Sequence, residues 1–232
     1  MISLTNSRRT AALAAICALA AALPSTRADA QILRVPRNTQ EPALWAGLGI
    51  GYYQMNDVLD GRTNTAWAFG TGAQYRGTLE YSIGRGSSIG VTGTWAHLPL
   101  RYESLDGTPL PSGAVTEDAH ADVSSLMGTF HAGGGEGFHS VLEAGLGVTR
   151  YANFKSDASG ATLAPVGDTD FSFSVGYGFG YTMGRSTEFF VVQEYGNAIH
   201  QRDGLPNNAR TNVQQLTTRI GARFGTGTRR SR

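Results

Sequence analysis

The dominant pattern in this chain is an alternation of large apolar residues with small or polar residues, which recurs from Ala43 almost to the end. In residues 169–181, TDFSFSVGYGFGY, every second residue from Phe171 to Tyr181 is large and apolar, and serine or glycine lies between. Successive side chains of a strand point to opposite faces, so this period of two predicts β-strands. Eight strands are predicted, at about residues 43–55, 66–83, 88–103, 121–132, 138–154, 169–183, 188–200 and 211–224.

The connections between these strands alternate strictly between short and long. The short ones are GRGS at 84–87, GGGEG at 133–137 and GRST at 184–187. The long, polar ones are residues 56–65, 104–120, 155–170 and 201–210. An up-and-down meander with tight turns at one end and loops at the other has this rhythm, so we predict an all-β, eight-stranded antiparallel barrel.

The small residues indicate which face of the strands points inward. In the first strand Gly47, Gly49 and Gly51 alternate with Leu48 and Ile50. Glycine weakens a strand and gains nothing on a solvated face, whereas a barrel of eight strands has little room inside. Polar side chains share the small face, so we predict a polar lumen and an apolar face in lipid, as in a transmembrane barrel. In the second strand the predicted lipid-facing residues are Trp67, Phe69, Thr71, Ala73, Tyr75, Leu79, Tyr81 and Ile83.

Six charged residues fall on the predicted inward faces. They are Arg76, Glu80, Glu143, Glu194, Arg219 and Arg223. A buried charge needs a partner or changes its protonation. We therefore predict a structural network of paired charges that fills the lumen, with at least one direct Arg–Glu contact. The alternative is a narrow ion path that opens when the pairs exchange.

Aromatic residues lie toward the predicted strand ends, where rings anchor a barrel at the two membrane interfaces. The predicted girdle residues are Trp45, Tyr52, Trp67, Tyr81, Trp95, Tyr102, Phe138, Phe154, Phe171 and Phe189.

The first thirty residues have the layout of a secretory signal. Arg8 and Arg9 precede an apolar run from Ala11 to Leu23, and the segment ends in Ala28-Asp29-Ala30. The predicted organisation is a signal peptide at 1–30, a periplasmic segment at 31–42, the barrel at 43–224 and a basic tail at 225–232. The only cysteine lies in the signal, which excludes disulfide and thiol chemistry from the exported chain. The near-neutral net charge of +1 for the full sequence gives no indication of nucleic-acid binding.

The last predicted strand, LTTRIGARF at 216–224, resembles the closing strand of Gram-negative outer-membrane β-barrels, which alternates apolar residues and ends on an aromatic. Together with the signal, the eight strands and the loop asymmetry, residues 43–224 resemble the small OmpA/OmpX-like barrels. The resemblance implies residence in the cell outer membrane and recognition of the closing strand by the assembly machinery. That role would fall on Leu216, Ile220, Ala222 and Phe224, although eight residues follow Phe224 here.

The same superfamily includes lipid A-modifying enzymes, which use histidine, serine and a carboxylate. Here FHSVLE supplies His139, Ser140 and Glu143, but adjacent residues of a strand point to opposite faces and cannot share a reaction centre. His97, His120 and His200 lie nearer the outer rim, without a suitably spaced serine or cysteine. We therefore expect no enzyme, no cofactor and no catalytic or metal site.

Acidic residues are frequent in and beside the long loops. They are Asp57, Asp60, Asp106, Glu117, Asp118, Asp122, Asp157, Asp168 and Asp170. Oxygen ligands of this kind suit divalent ions, but the spacing is not that of a calcium loop. The expected state is a solvated surface.

The sequence thus predicts a structural or surface-interaction role, in contact with outer-membrane lipid, lipopolysaccharide and an external partner reached through the loops. The alternatives are a narrow porin-like channel, a lipid A-modifying enzyme and a soluble exported lipid-binding barrel.

Overall fold

The computed structural model describes residues 42–84, 86–200 and 212–227. The predicted signal, residues 31–41, the loop at 201–210 and the tail from residue 228 lie outside the described residues. The ten strands are β1 (Leu44–Met55), β2 (Val58–Asp60), β3 (Thr65–Phe69), β4 (Gly72–Gly84), β5 (Ser87–Ser104), β6 (Thr116–Ala132), β7 (Gly137–Ser156), β8 (Gly167–Met183), β9 (Thr187–Ile199) and β10 (Asn212–Thr226). Within the described ranges, no helix has the length and apolar character needed to cross a membrane.

The ten strands form one closed antiparallel barrel with eight strand positions, each of which we call a stave. Two staves are interrupted: the first consists of β1 and β2, and the second consists of β3 and β4. Each stave pairs with its neighbours in the sequence, β1 pairs with β10, and β5 pairs with β6, so the sheet has no free edge along its main staves. The structure confirms the predicted eight-stranded, up-and-down architecture.

The tight connections lie at one end of the barrel, here called the turn end, and the longer ones at the opposite loop end. Residues 133–136 and 184–186 form turns, whereas residues 105–115 and 157–166 form loops. At the turn end, β10 continues to Thr226, which pairs with Leu44. The first two residues of the predicted tail therefore belong to the barrel.

The outer face of the barrel is apolar over its middle. Leu48 is 72% exposed and Leu79 is 71% exposed, and most of their outward neighbours are also large and apolar. In β8 the outward residues include Phe171, Tyr177 and Tyr181, whereas the serines and glycines between them point into the barrel. Soluble monomers rarely expose a continuous apolar surface of this size. This surface, which we call the apolar belt, is the kind that outer-membrane barrels place in lipid.

The second stave corrects one predicted orientation, because Trp67 and Phe69 point into the barrel and not toward lipid. Gly70 and Thr71 separate β3 from β4, and this break reverses which side of the chain faces inward. Pro99 lies opposite the break; it has no N–H to donate, and its carbonyl accepts a hydrogen bond from the Gly70 amide at 2.7 Å.

The predicted aromatic girdle is also partly wrong. Tyr52, Tyr81, Trp95, Phe138, Phe171 and Phe189 lie on the outer face. Trp45, Trp67, Tyr102 and Phe154 are buried inside the barrel. Their position near strand ends is compatible with either side of the sheet, and the local register decides between them.

Candidate functional site

The lumen near the turn end is closed by ion pairs around Arg223. This guanidinium contacts Glu188 at 2.6 Å and Glu80 at 2.9 Å, and it lies 4.5 Å from the centre of the Trp45 ring. His139 approaches the same Glu188 carboxylate at 3.2 Å. Strands β4, β9 and β10 thus supply one layer of opposite charges that packs against an aromatic ring.

A second layer of charge lies closer to the middle of the lumen. Glu143 contacts Arg219 and, at 3.1 Å, Arg76, and Arg76 is also hydrogen-bonded to Glu194. His131 adds a contact to Glu143 at 3.3 Å. The side chains come from β4, β6, β7, β9 and β10 and meet across the lumen because glycines such as those of β1 leave them space. The structure therefore brings all six sequence-predicted lumen residues into these two layers.

The lumen toward the loop end is filled by an apolar plug. Its largest fully or nearly fully buried members are Tyr53, Trp67, Leu98, Tyr102, Tyr151 and Phe154. The Trp67 ring lies 4.7 Å from Phe154 and 6.1 Å from Tyr151, centre to centre. The sequence prediction did not include the plug, since it assigned Trp67, Tyr102 and Phe154 to the aromatic girdle at the membrane interfaces.

A group of ionisable side chains lies beside the plug, and we call it the acidic cluster: Asp60, Asp168, Asp170 and His200. The His200 Nδ1 atom lies 2.8 Å from Asp170 and 3.9 Å from Asp168, and its Nε2 atom lies 3.9 Å from Asp60. Arg62 contacts Asp168 at 3.1 Å from a half-exposed position. Burial alone would lower the pKa of His200, but the hydrogen bond to Asp170 and the nearby carboxylates raise this pKa above its ordinary value.

The acidic cluster corrects the prediction that these acidic residues are solvated. Asp60 and Asp170 are buried, and Asp168 is only partly exposed. Glu117 is also buried, and its two carboxylate oxygens find no hydrogen-bond partner among the described residues. The outward-facing Asp118, by contrast, is exposed as expected. The strands that carry these residues continue beyond the apolar belt toward the loop end. The extended barrel wall therefore encloses side chains that the sequence pattern assigned to loops.

The candidate residues of an enzyme are not brought together. His139 points into the lumen toward Glu188, whereas Ser140 lies on the exposed outer side near Tyr177. The two side chains therefore lie on opposite faces of β7. This arrangement excludes a joint reaction centre for His139 and Ser140.

A pair of histidines, His97 and His120, lies on the outer face of the barrel, beyond the apolar belt. His97 contacts Asp122 at 2.7 Å, His120 contacts Asp157 at 2.6 Å, and the two rings are 4.8 Å apart. Exposed Arg101 lies on the same outer face of β5. The outer surface of β5, β6 and β7 thus changes from apolar to polar and charged toward the loop end.

The closing strand β10 places the predicted assembly residues on the outer face. Ile220 and Phe224 are exposed there, and Leu216 and Ala222 lie on the same side. The strand pairs with β1 on one side and β9 on the other.

The sequence matches no protein-family model and no curated protein. Among solved structures, Neisserial surface protein A is similar with a TM-score of 0.52 and 14% identity, over 79% of this chain and 97% of that one. The outer-membrane protein OprG of Pseudomonas aeruginosa aligns with a TM-score of 0.45 and 13% identity, over 81% of this chain and 97% of OprG. The outer-membrane protease OmpT of Escherichia coli gives 0.45 and 11%, over 82% of this chain and 99% of OmpT. The chain has the fold of bacterial outer-membrane barrels.

Proposed function

We propose that this protein is a sealed outer-membrane barrel that acts through its surface and does not transport solutes. The observation that carries this proposal is the filled lumen. Two layers of ion pairs and an apolar plug occupy the interior, one after another, between the turn end and the loop end.

The seal has two components of different chemistry. Near the turn end, the charges of Arg76 and Arg223 are paired within the protein, since each guanidinium contacts two carboxylates. These charges are therefore not free to bind a passing ion. Toward the loop end, the apolar plug around Trp67 excludes water by close aromatic packing. An ion crossing the barrel would have to disrupt both, and this makes the channel alternative the weaker one.

The polar outer wall supports a role in surface contacts. The outward side chains of β5, β6 and β7 beyond the apolar belt include His97, Arg101, His120 and Lys155. In a membrane this wall would stand at the level of lipid headgroups and above. Basic and imidazole groups can pair with phosphates of lipopolysaccharide, and the adjacent carboxylates can bind them through divalent ions. The outward apolar residues of β10 are proposed to guide assembly into the membrane.

The sealed lumen predicts that the purified protein carries no steady ionic current in planar lipid bilayers. The variant Trp67→Ala should also carry no steady current. The substitution opens a cavity in the apolar plug, but the ion-pair layers nearer the turn end still block the lumen. A stable, repeated unitary current through the unmodified protein would contradict the proposal and favour a channel.

A further inference from the structure

The acidic cluster has the composition and spacing of a metal site. One oxygen of Asp60, one oxygen of Asp168 and one ring nitrogen of His200 all lie within 4.8 Å of one another. A cation about 2.0–2.2 Å from each ligand atom needs ligand atoms separated by roughly 3–4 Å. The 3.9 Å separation between His200 Nε2 and Asp60 Oδ1 already falls in this range.

The His200 ring is oriented as a metal ligand would be. Its Nδ1 atom is paired with Asp170 at 2.8 Å, which leaves Nε2 toward Asp60. The His200 side chain is fully buried, and Nε2 has no hydrogen-bond partner within the described part of the chain. Metal-bound histidines usually donate their second ring N–H to a carboxylate, and Asp170 occupies that position.

The carboxylate of Asp60 is also held in place, by hydrogen bonds from residues outside the cluster. The carboxylate of Asp60 accepts hydrogen bonds from the Arg62 amide at 2.9 Å and from the Thr63 hydroxyl at 2.7 Å. These bonds fix the direction of Asp60 at the end of β2. The buried Trp67 ring lies 5.4 Å from the His200 ring and forms an apolar wall on one side.

The charge balance distinguishes the acidic cluster from the two ion-pair layers near the turn end. In those layers three arginines face four glutamates, and two histidines are close by. In the acidic cluster three aspartates surround one histidine. Among the described residues, Arg62 is the only arginine in contact, and it reaches Asp168 from a half-exposed position. Buried carboxylates in excess either take up protons or pair with a cation, and a bound divalent ion would supply the compensating charge here.

We propose that the acidic cluster binds one divalent cation of the Zn²⁺ class. Asp60 and His200 Nε2, which lie 3.9 Å apart, are two of the ligands. Asp168 is the third ligand; it lies 3.9 Å from the Nδ1 atom of His200 and would turn toward the ion. Asp170 is a positioning residue that orients the imidazole. Mixed imidazole and carboxylate donors favour Zn²⁺ and similar transition ions over Ca²⁺ or Mg²⁺. Arg62 pairs with Asp168 at the exposed side of the site, and the ion would replace this contact in part.

The test is calorimetric titration of Zn²⁺ into the full-length protein, refolded in detergent and freed of metal by a chelator. We expect one saturable site per chain. His200→Gln should abolish this binding, and Asp170→Asn should weaken it about 10–100-fold, as loss of an orienting carboxylate does. The matched control is His97→Gln, which removes a histidine of similar Asp pairing on the outer wall and should leave the affinity unchanged.

Two readouts keep the test independent of folding. Each variant is first checked for the compact barrel by its gel mobility without heating, and Asp60→Asn serves as a second ligand variant if His200→Gln does not fold. Binding of Zn²⁺ should also change the fluorescence of a variant that retains Trp67 as its only tryptophan. Absence of saturable binding by the folded protein, or an equal loss in His97→Gln, would overturn the proposal.

Discussion

Replacing Glu143 with glutamine should destabilise the barrel by about 3–5 kcal/mol. Glu143 is the carboxylate shared by Arg76 and Arg219, so its neutralisation leaves two buried guanidinium groups with Glu194 as their nearest acid. The side chain keeps its size, and the effect therefore reports the charge and not a cavity. The measurement is the free energy of unfolding in urea for the protein refolded in detergent or vesicles.

The matched control for this substitution is Glu103→Gln. Glu103 is exposed on the outer face of β5, where an isolated charge contributes about 0–1 kcal/mol. The double variant Glu143→Gln/Arg219→Gln should recover part of the loss, because it restores the charge balance of the layer. A Glu143→Gln protein as stable as Glu103→Gln would contradict the role given to the ion pairs.

Gly178→Ala should prevent formation of the barrel or cost more than about 4 kcal/mol. A Cβ atom at Gly178 would lie 1.9 Å from the Val191 carbonyl oxygen and 2.7 Å from the Val192 Cα atom. Both are backbone atoms of the neighbouring strand β9, so the contact is relieved only by separating β8 from β9. The fraction of folded protein, read from gel mobility and urea unfolding, measures the effect.

Gly93→Ala provides the control, since it makes the same chemical change in strand β5. A Cβ atom at Gly93 meets nothing within 4 Å, and its residue points outward. We expect a change within about 0.5 kcal/mol or a small gain, because alanine is more favourable than glycine inside a strand. Equal stability of the Gly178→Ala and Gly93→Ala proteins would show that the close approach of β8 and β9 is not required.

Much of the barrel follows from the sequence because most staves keep one uninterrupted alternation. In β8 the pattern from Phe171 to Tyr181 assigns every side chain to the correct face. The second stave fails for a local reason: the break at Gly70–Thr71 reverses the parity, and Trp67 moves from lipid to the plug. Pro99 on the partner strand is the sequence signal that could have indicated this break.

For the acidic cluster, the alternation of apolar and polar residues could have predicted the inward position of some members but not of all. Asp170 and His200 lie within the predicted strands at 169–183 and 188–200 and have the inward parity of Ser172 and Glu194. Extending the first of these strands by one residue would also have placed Asp168 inward. Asp60 lies on β2, beyond the interruption after β1, and no alternation links it to the others. Its position depends on closure of the barrel, which brings residues far apart in the sequence together.

The most direct test of a lipid-facing belt around a filled lumen is fluorescence quenching by brominated acyl chains. Two single-tryptophan variants are reconstituted into vesicles, one retaining Trp95 and the other Trp67, with the remaining tryptophans changed to phenylalanine. Trp95 is 46% exposed on the outer face and Trp67 is 0% exposed inside. We predict strong quenching of Trp95 and little quenching of Trp67. Strong quenching of Trp67 with an unaffected Trp95 would contradict the account.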